Sequence, residues 1–302
     1  NVAVGYDAGQ AVSTGVNNTL IGGSTGYALT TGSYSTGIGF NVLATETTNS
    51  HNTAMGYASM SSTELSAKNI AIGSNTLQNL TNVSSTDTYN VAVGYNSGIN
   101  MTTGVQNTLI GGLAGDALTT GSENVAIGLQ ALGSEDGHGK NVAIGRSALE
   151  TQNAGADAYN VAVGYYAGVF VTTGVRNTLV GGLTGDALTT GSYNTFIGYN
   201  AGSATTDRSY NTAIGDSALS VNVNGARNVA IGNAALAVMN PASDLDTYNV
   251  AIGYDAGAAV TTGVNNTLIG SLAGDALTTG TNNVAMGYGA LGSEDTGGQN
   301  VA

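Results

Sequence analysis

The sequence has no cysteine and no tryptophan, one proline and three phenylalanines, and only 8% of its residues are charged. Without cysteine there are no disulfides and no thiolate metal sites. With so few large aromatic rings, a core built on aromatic anchors is excluded and small side chains must do the packing. Bases are scarce: six Lys and Arg against 19 acids, for a net charge of −13. Lys68, Lys140, Arg146, Arg176, Arg208 and Arg227 are scattered, which argues against nucleic acid and against an anionic membrane surface as partners. No apolar run approaches the roughly 20 residues that span a bilayer. The two histidines, His51 and His138, are 87 residues apart, too far for a paired acid and base. The run from Gly137 to Lys140 (GHGK) lacks phosphate-loop spacing. The expectation is a chain that is not an enzyme, with no catalytic or cofactor-binding residues and no membrane insertion.

What the sequence does have is 47 glycines in a chain that is 41% hydrophobic, which is not the profile of a solvated coil. The order behind it is a repeat. The pentad Asn, β-branched, small, aliphatic, Gly begins at Asn1, Asn18, Ser35, Asn52, Asn69, Asn90, Asn107, Asn124, Asn141, Asn160, Asn177, Asn194, Asn211, Asn228, Asn249, Asn266, Asn283 and Asn300. The step is 17 residues except for those ending at Asn90 (21), Asn160 (19) and Asn249 (21). Position two is always Val, Thr or Ile, position four Val, Ile or Met, and position five Gly wherever the repeat reaches it.

A short period-2 alternation closed by an obligatory Gly reads as a strand ending in a tight turn. Seventeen residues cannot hold a strand, a crossover helix and a second strand, so the fold class expected is all-β. The chain should be a parallel β-solenoid or β-roll of about eighteen 17-residue coils, each with two or three short strands, stacked in register. Stacking would align the first-position Asn side chains into a ladder of amide hydrogen bonds. At about 4.8 Å per coil the array would be a rod of roughly 80 to 85 Å. Positions two and four should face one side and position three the other. The third column, mostly Ala with Leu20, Leu109, Leu179 and Leu268, is expected to let another sheet or chain approach closely.

A longer period overlies the first. Similar blocks start at residues 1, 90, 160 and 249, and the extra residues precede them in SSTDTYN, AGADAYN and SDLDTYN, read as enlarged loops on one edge. Residues 1–302 are expected to form a single continuous array, a window of a longer protein, since the chain opens on a repeat boundary and stops inside a repeat.

NVAIG at Asn141 with Ala148, and NTAIG at Asn211 with Ala218, resemble the head repeats of trimeric autotransporter adhesins. Arrays of this type are also similar to those of bacteriophage tail-fibre proteins. The resemblance runs the length of the chain and implies a left-handed parallel β-roll, a homotrimer with small residues at the interface, and an extracellular place on a virion or cell-surface appendage.

Three further patterns carry candidate chemistry. Asp116, Asp186 and Asp275, with the pairs Glu135–Asp136 and Glu294–Asp295, could bring carboxylates together for calcium, although the GGxGxDx signature of calcium-binding rolls does not recur. Tyrosines follow the motif Gly (Tyr6, Tyr57, Tyr95, Tyr165, Tyr199, Tyr254, Tyr288) or precede the motif Asn (Tyr34, Tyr89, Tyr159, Tyr193, Tyr210, Tyr248). The first set are candidate glycan contacts, multiplied by repetition; the alternative is that the rings cover coil edges or pack between subunits. Thr-Thr-Gly steps at Thr30, Thr102, Thr119, Thr172, Thr189, Thr261 and Thr278 could form an ice-binding hydroxyl row, but intervening coils interrupt it. The leading expectation is a structural and adhesive fibre segment giving reach and surface or host attachment. A glycan-binding module and an ice-binding or calcium-dependent solenoid are the alternatives.

Overall fold

The computed structural model describes residues 1–302, in full except at 83–85, where only the backbone is described. It is all-β, with no helix among the described residues, and the chain folds as a parallel β-solenoid. The chain divides into two compact units, residues 1–157 and 158–302. Both are built from the same coil. Positions two to four form a three-residue parallel strand paired in register with its neighbours, as in Val125↔Val142 in the first unit and Thr178↔Thr195 in the second. The register survives the 21-residue coils, where Ile70 pairs with Val91 and Val229 with Val250.

A regular coil thus carries one strand rather than two or three. The reason lies in its corners. In the coil starting at Asn52, Gly56, Ala58, Met60 and Lys68 have φ of 128°, 51°, 49° and 61°. Such left-handed residues cannot extend a strand, and each non-glycine there costs roughly 1 kcal/mol or more. Stacking offsets the cost, because the corner amides still bond neighbouring coils. Ala58 N–H donates to Phe40 O (3.0 Å) on one side, and Met60 N–H to Thr76 O (3.0 Å) on the other. The fifth position is stricter still. There the backbone φ lies where side chains are excluded, and a Cβ on Gly56 would overlap the Gly73 carbonyl of the next coil.

The third column lies inside the coil, not at a surface for another chain. Ala54, Ala92, Leu109, Ala162, Phe196 and Leu268 are all fully buried, while positions two and four face outward. The wall that approaches so closely is the opposite side of the same coil. Positions eight, nine and twelve supply that wall, as Ala131, Leu132 and Glu135 do, all with no exposed surface.

Volume is shared across this narrow interior. Where position three is large, position nine is glycine: Leu20 with Gly26, Leu109 with Gly115, Phe196 with Gly202. Where position three is Ala or Gly, position nine is usually Leu or Met, as in Gly37 with Leu43 and Ala54 with Met60. The pairing is steric, since a Cβ on Gly202 would sit 2.5 Å from the Phe196 ring and one on Gly26 2.9 Å from Leu20. Interiors pack near crystal density, so one side must yield to the other.

The two 21-residue coils use their extra residues alike. In the first unit Glu64–Ala67 pairs with Thr81–Asp87 in a second small sheet, and in the second unit Gly225–Ala226 pairs with Leu245–Asp246. Each excursion is clamped by the base that precedes a ladder Asn. Lys68 Nζ lies 2.6 Å from Asp87, and Arg227 Nε 2.9 Å from Asp246. Tyr89 and Tyr248 hydroxyls donate to the same carboxylates.

Candidate functional site

The outward sides of positions two and four make a continuous aliphatic face in each unit. In the first it runs through Ile70, Ile72, Ile110 and Ile127, in the second through Val163, Ile197 and Ile252. β-Branched side chains suit a pleated strand, and stacking them in register gives rows. No charged residue occupies either position in any coil. Neighbouring rows cover only part of each side chain: Ile70 remains 41% exposed and Ile72 38%.

Aromatic residues rim this face on both sides. After the motif Gly, Tyr57, Tyr95, Tyr165, Tyr199 and Tyr254 are each 50–59% exposed, and Tyr6 and Tyr288 more so. Phe40 stacks on Tyr57 with centroids 5.9 Å apart, and Tyr165 meets Tyr166 at 4.2 Å. Before the motif Asn, the rings stack on one another and on cations. Arg176, Tyr193, Tyr210, Arg227 and Tyr248 form one column in the second unit: Tyr193 and Tyr210 lie 5.1 Å apart at 9°, and Arg227 sits 4.7 Å from the Tyr210 ring. In the first unit Tyr34 stacks on His51 at 5.0 Å. Both sets remain about half exposed, from Tyr193 at 42% to Tyr57 at 59%, with Tyr6 and Tyr288 at the chain ends more so.

The ladder residues are buried beneath the strand. In most rungs the side chain bonds in two directions: Oδ1 accepts the backbone N–H of the next rung, and Nδ2 donates to a carbonyl fourteen residues on in its own coil. Asn90 accepts from Asn107 N (2.9 Å) and donates to Gly104 O (2.9 Å). The same pair of bonds recurs at Asn1, Asn18, Asn52, Asn107, Asn124, Asn177, Asn194, Asn211, Asn249, Asn266 and Asn283. Asn160 also makes both, accepting from Asn177 N and donating to Gly174 O. Amide-to-amide bonds are added at some rungs, such as Asn266 to Asn249 (3.1 Å). At Asn69 and Asn228 the Oδ1 still accepts the next rung's N–H and gains a bond from the Thr88 or Thr247 hydroxyl, while the Nδ2 donates to the Ala67 or Ala226 carbonyl two residues back. Asn141 N–H donates to Asn124 Oδ1 at 3.1 Å.

Position twelve holds the least expected chemistry. It is fully buried from Leu29 to Leu277, yet Glu46, Thr63, Glu135, Gln152, Thr205 and Asn222 occupy it in some coils. Burial pushes the Glu46 carboxyl up to about 8, against two hydrogen bonds from Asn52 Nδ2 at 2.8 and 3.0 Å. Burial also raises the Glu135 carboxyl, offset by the His138 backbone amide. The sequence signal was present, an acid at a fixed repeat position, but its inward direction follows only from the left-handed corners.

The remaining candidates are placed as follows. Glu135, Asp136 and His138 form the one group among the described residues that could hold a metal, with a ligand atom of each within 4.8 Å of the others. Asp116, Asp186 and Asp275 do not join such a group. His51 is an exposed partner of Tyr34. The first hydroxyls of the Thr-Thr steps donate to carbonyls of the next coil, as Thr102 to Thr119 O (3.1 Å) and Thr261 to Thr278 O (3.2 Å), which fixes them to the backbone. No helix is long and apolar enough to cross a membrane. No protein-family model, curated protein or solved structure matches the chain.

Proposed function

We propose that the chain is a structural and adhesive fibre segment, a homotrimeric shaft of a virion tail fibre or cell-surface appendage working outside the cell. The observation that carries this reading is the uncharged aliphatic face of the stacked strands, partly exposed and rimmed by aromatic rings. Apolar surface repeated in register along a solenoid is the form a lengthwise contact between identical chains takes, since each coil adds the same increment of burial. The interface is then the outward β-branched columns, with the tyrosine rims closing its edges. Reach comes from the array, and attachment to a receptor or surface is made by loops or by other parts of the fibre.

The test is the solution mass by light scattering over a range of concentrations, with and without a calcium chelator. Three chains are expected. Replacing Ile110, Ile127 and Ile144 by Arg should give a folded monomer, with the β-sheet circular dichroism retained. A wild-type monomer would overturn the reading, and would turn the same face and the open Tyr rings into candidates for glycan binding.

A further inference from the structure

Position twelve carries three carboxylates among the coils, Glu46, Glu135 and Glu294, and they are satisfied differently. Both Glu46 oxygens accept from Asn52 Nδ2. Glu294 Oε1 accepts the Gly297 N–H at 2.6 Å. Glu135 has no exposed surface; its Oε1 accepts the His138 N–H at 3.1 Å, but its Oε2 is buried without a hydrogen-bond partner. Beside it His138 Nδ1 is also shielded from water and makes no hydrogen bond; it stands 3.4 Å from Glu135 Oε1. The exposed Asp136 completes the group. Two buried polar atoms without hydrogen bonds, on neighbouring residues whose ligand atoms lie within 4.8 Å of one another, are costly unless something satisfies them. The nearby base Lys140 pairs with Asp157 at 2.7 Å.

We propose that Glu135, Asp136 and His138 form a binding site for a divalent transition-metal ion of the zinc type. The ligand set decides the class of ion. An imidazole nitrogen with two carboxylate oxygens, plus one water, suits the four-coordinate, nitrogen-accepting zinc ion. Calcium takes six to eight oxygen ligands and is poorly served by a site in which one of the three side chains is an imidazole. His138 Nδ1 stands 3.4 Å from Glu135 Oε1, the oxygen that accepts the His138 N–H, so the imidazole and this carboxyl group are already side by side. Glu135 Oε2 is the carboxylate atom free to take the ion. Bound there, the ion would tie positions twelve, thirteen and fifteen of one coil together, just before the enlarged 19-residue coil.

The second unit contains its own control. In the coil starting at Asn283 the acids recur as Glu294 and Asp295, but Gly297 stands where His138 does. The test is titration of the full, chelator-stripped chain with zinc by calorimetry, and with cobalt(II) by visible absorption. One ion per chain is expected, with cobalt bands of a tetrahedral nitrogen-containing site and a thermal midpoint that rises with zinc. His138→Gly copies the residue of the matching coil and should fold; it should weaken binding by about 100-fold or more and abolish the cobalt bands. Millimolar calcium should not displace zinc. No stoichiometric binding by the wild type, unchanged affinity in His138→Gly, or displacement by calcium would each overturn the proposal.

Discussion

The coil that begins at Asn18 and the coil stacked on it at Ser35 fill the same interior with different side chains. The first uses Leu20, Gly26 and Leu29; the second uses Gly37, Leu43 and Glu46. Leucine moves from column three to column nine, the glycine moves the other way, and the aliphatic twelfth residue becomes a carboxyl. The ladder changes with them. Asn18 gives the next rung an Oδ1 at 2.9 Å, whereas Ser35 gives a hydroxyl at 3.4 Å and has no amide to reach across the coil. The amide of Asn52 then bonds Glu46 from the following coil as well as the Ser66 carbonyl. The difference teaches that no single side chain defines the coil. Columns negotiate volume and hydrogen bonds within a backbone that hardly changes.

The strongest way to break the comparison is to attack what both coils share. Gly39→Ala places a Cβ against the Gly56 carbonyl at a φ of 135°, and should cost on the order of 5 kcal/mol or more, read as collapse of the chemical-denaturation midpoint. Second in size is the buried carboxyl. Because folding raises Glu46 from 4.5 to about 8, the folded chain holds the proton more tightly, so stability is greatest below pH 4.5 and falls as pH rises towards 8. The loss is a few kcal/mol, at about 1.4 kcal/mol per pKa unit. Glu46→Gln should flatten this part of the pH dependence and be the more stable protein at pH 8.5. A Glu46→Gln variant with an unchanged profile would sink the assignment.

Third comes the exchange of volume. Gly26→Leu alone overfills the coil against Leu20 and should destabilise by about 1–3 kcal/mol. Leu20→Ala with Gly26→Leu reproduces the Ala and Leu arrangement of other coils and should recover most of that loss. A double variant no better than the sum of its singles would mean that the columns are independent. The smallest effect belongs to the exposed clamps: Lys68→Ala should barely move the thermal midpoint, but should speed amide exchange between residues 81 and 87.

Much of the fold was legible because the constraint is periodic. A Gly that recurs at position five and an Asn that recurs at position one are visible without coordinates, and each has a local cause, in the carbonyl of the next coil and in the twofold bonding of the amide. The direction of the third column was less legible. Alternation separates Ala3 from Val2 and Val4, but which side is inside depends on how the corners at positions seven, nine and seventeen turn, and Leu43 or Tyr34 at positive φ carries no signal that a glycine would. The site around Glu135 was legible only in part. Its acids stood out as a recurring pair, while His138 looked like a solvated loop residue because its contact with Glu135 exists only once the chain closes the coil.

The ladder has a consequence for how the molecule ages. Asparagine decays when the backbone nitrogen of the following residue attacks its side-chain carbonyl and expels ammonia. In each regular coil that nitrogen belongs to a β-branched residue and is already donating to the next coil, as Val125 N–H does to Asn141 O at 2.8 Å, while the amide is held from both ends. The residues that hold the stack together are therefore shielded from the reaction most damaging to them.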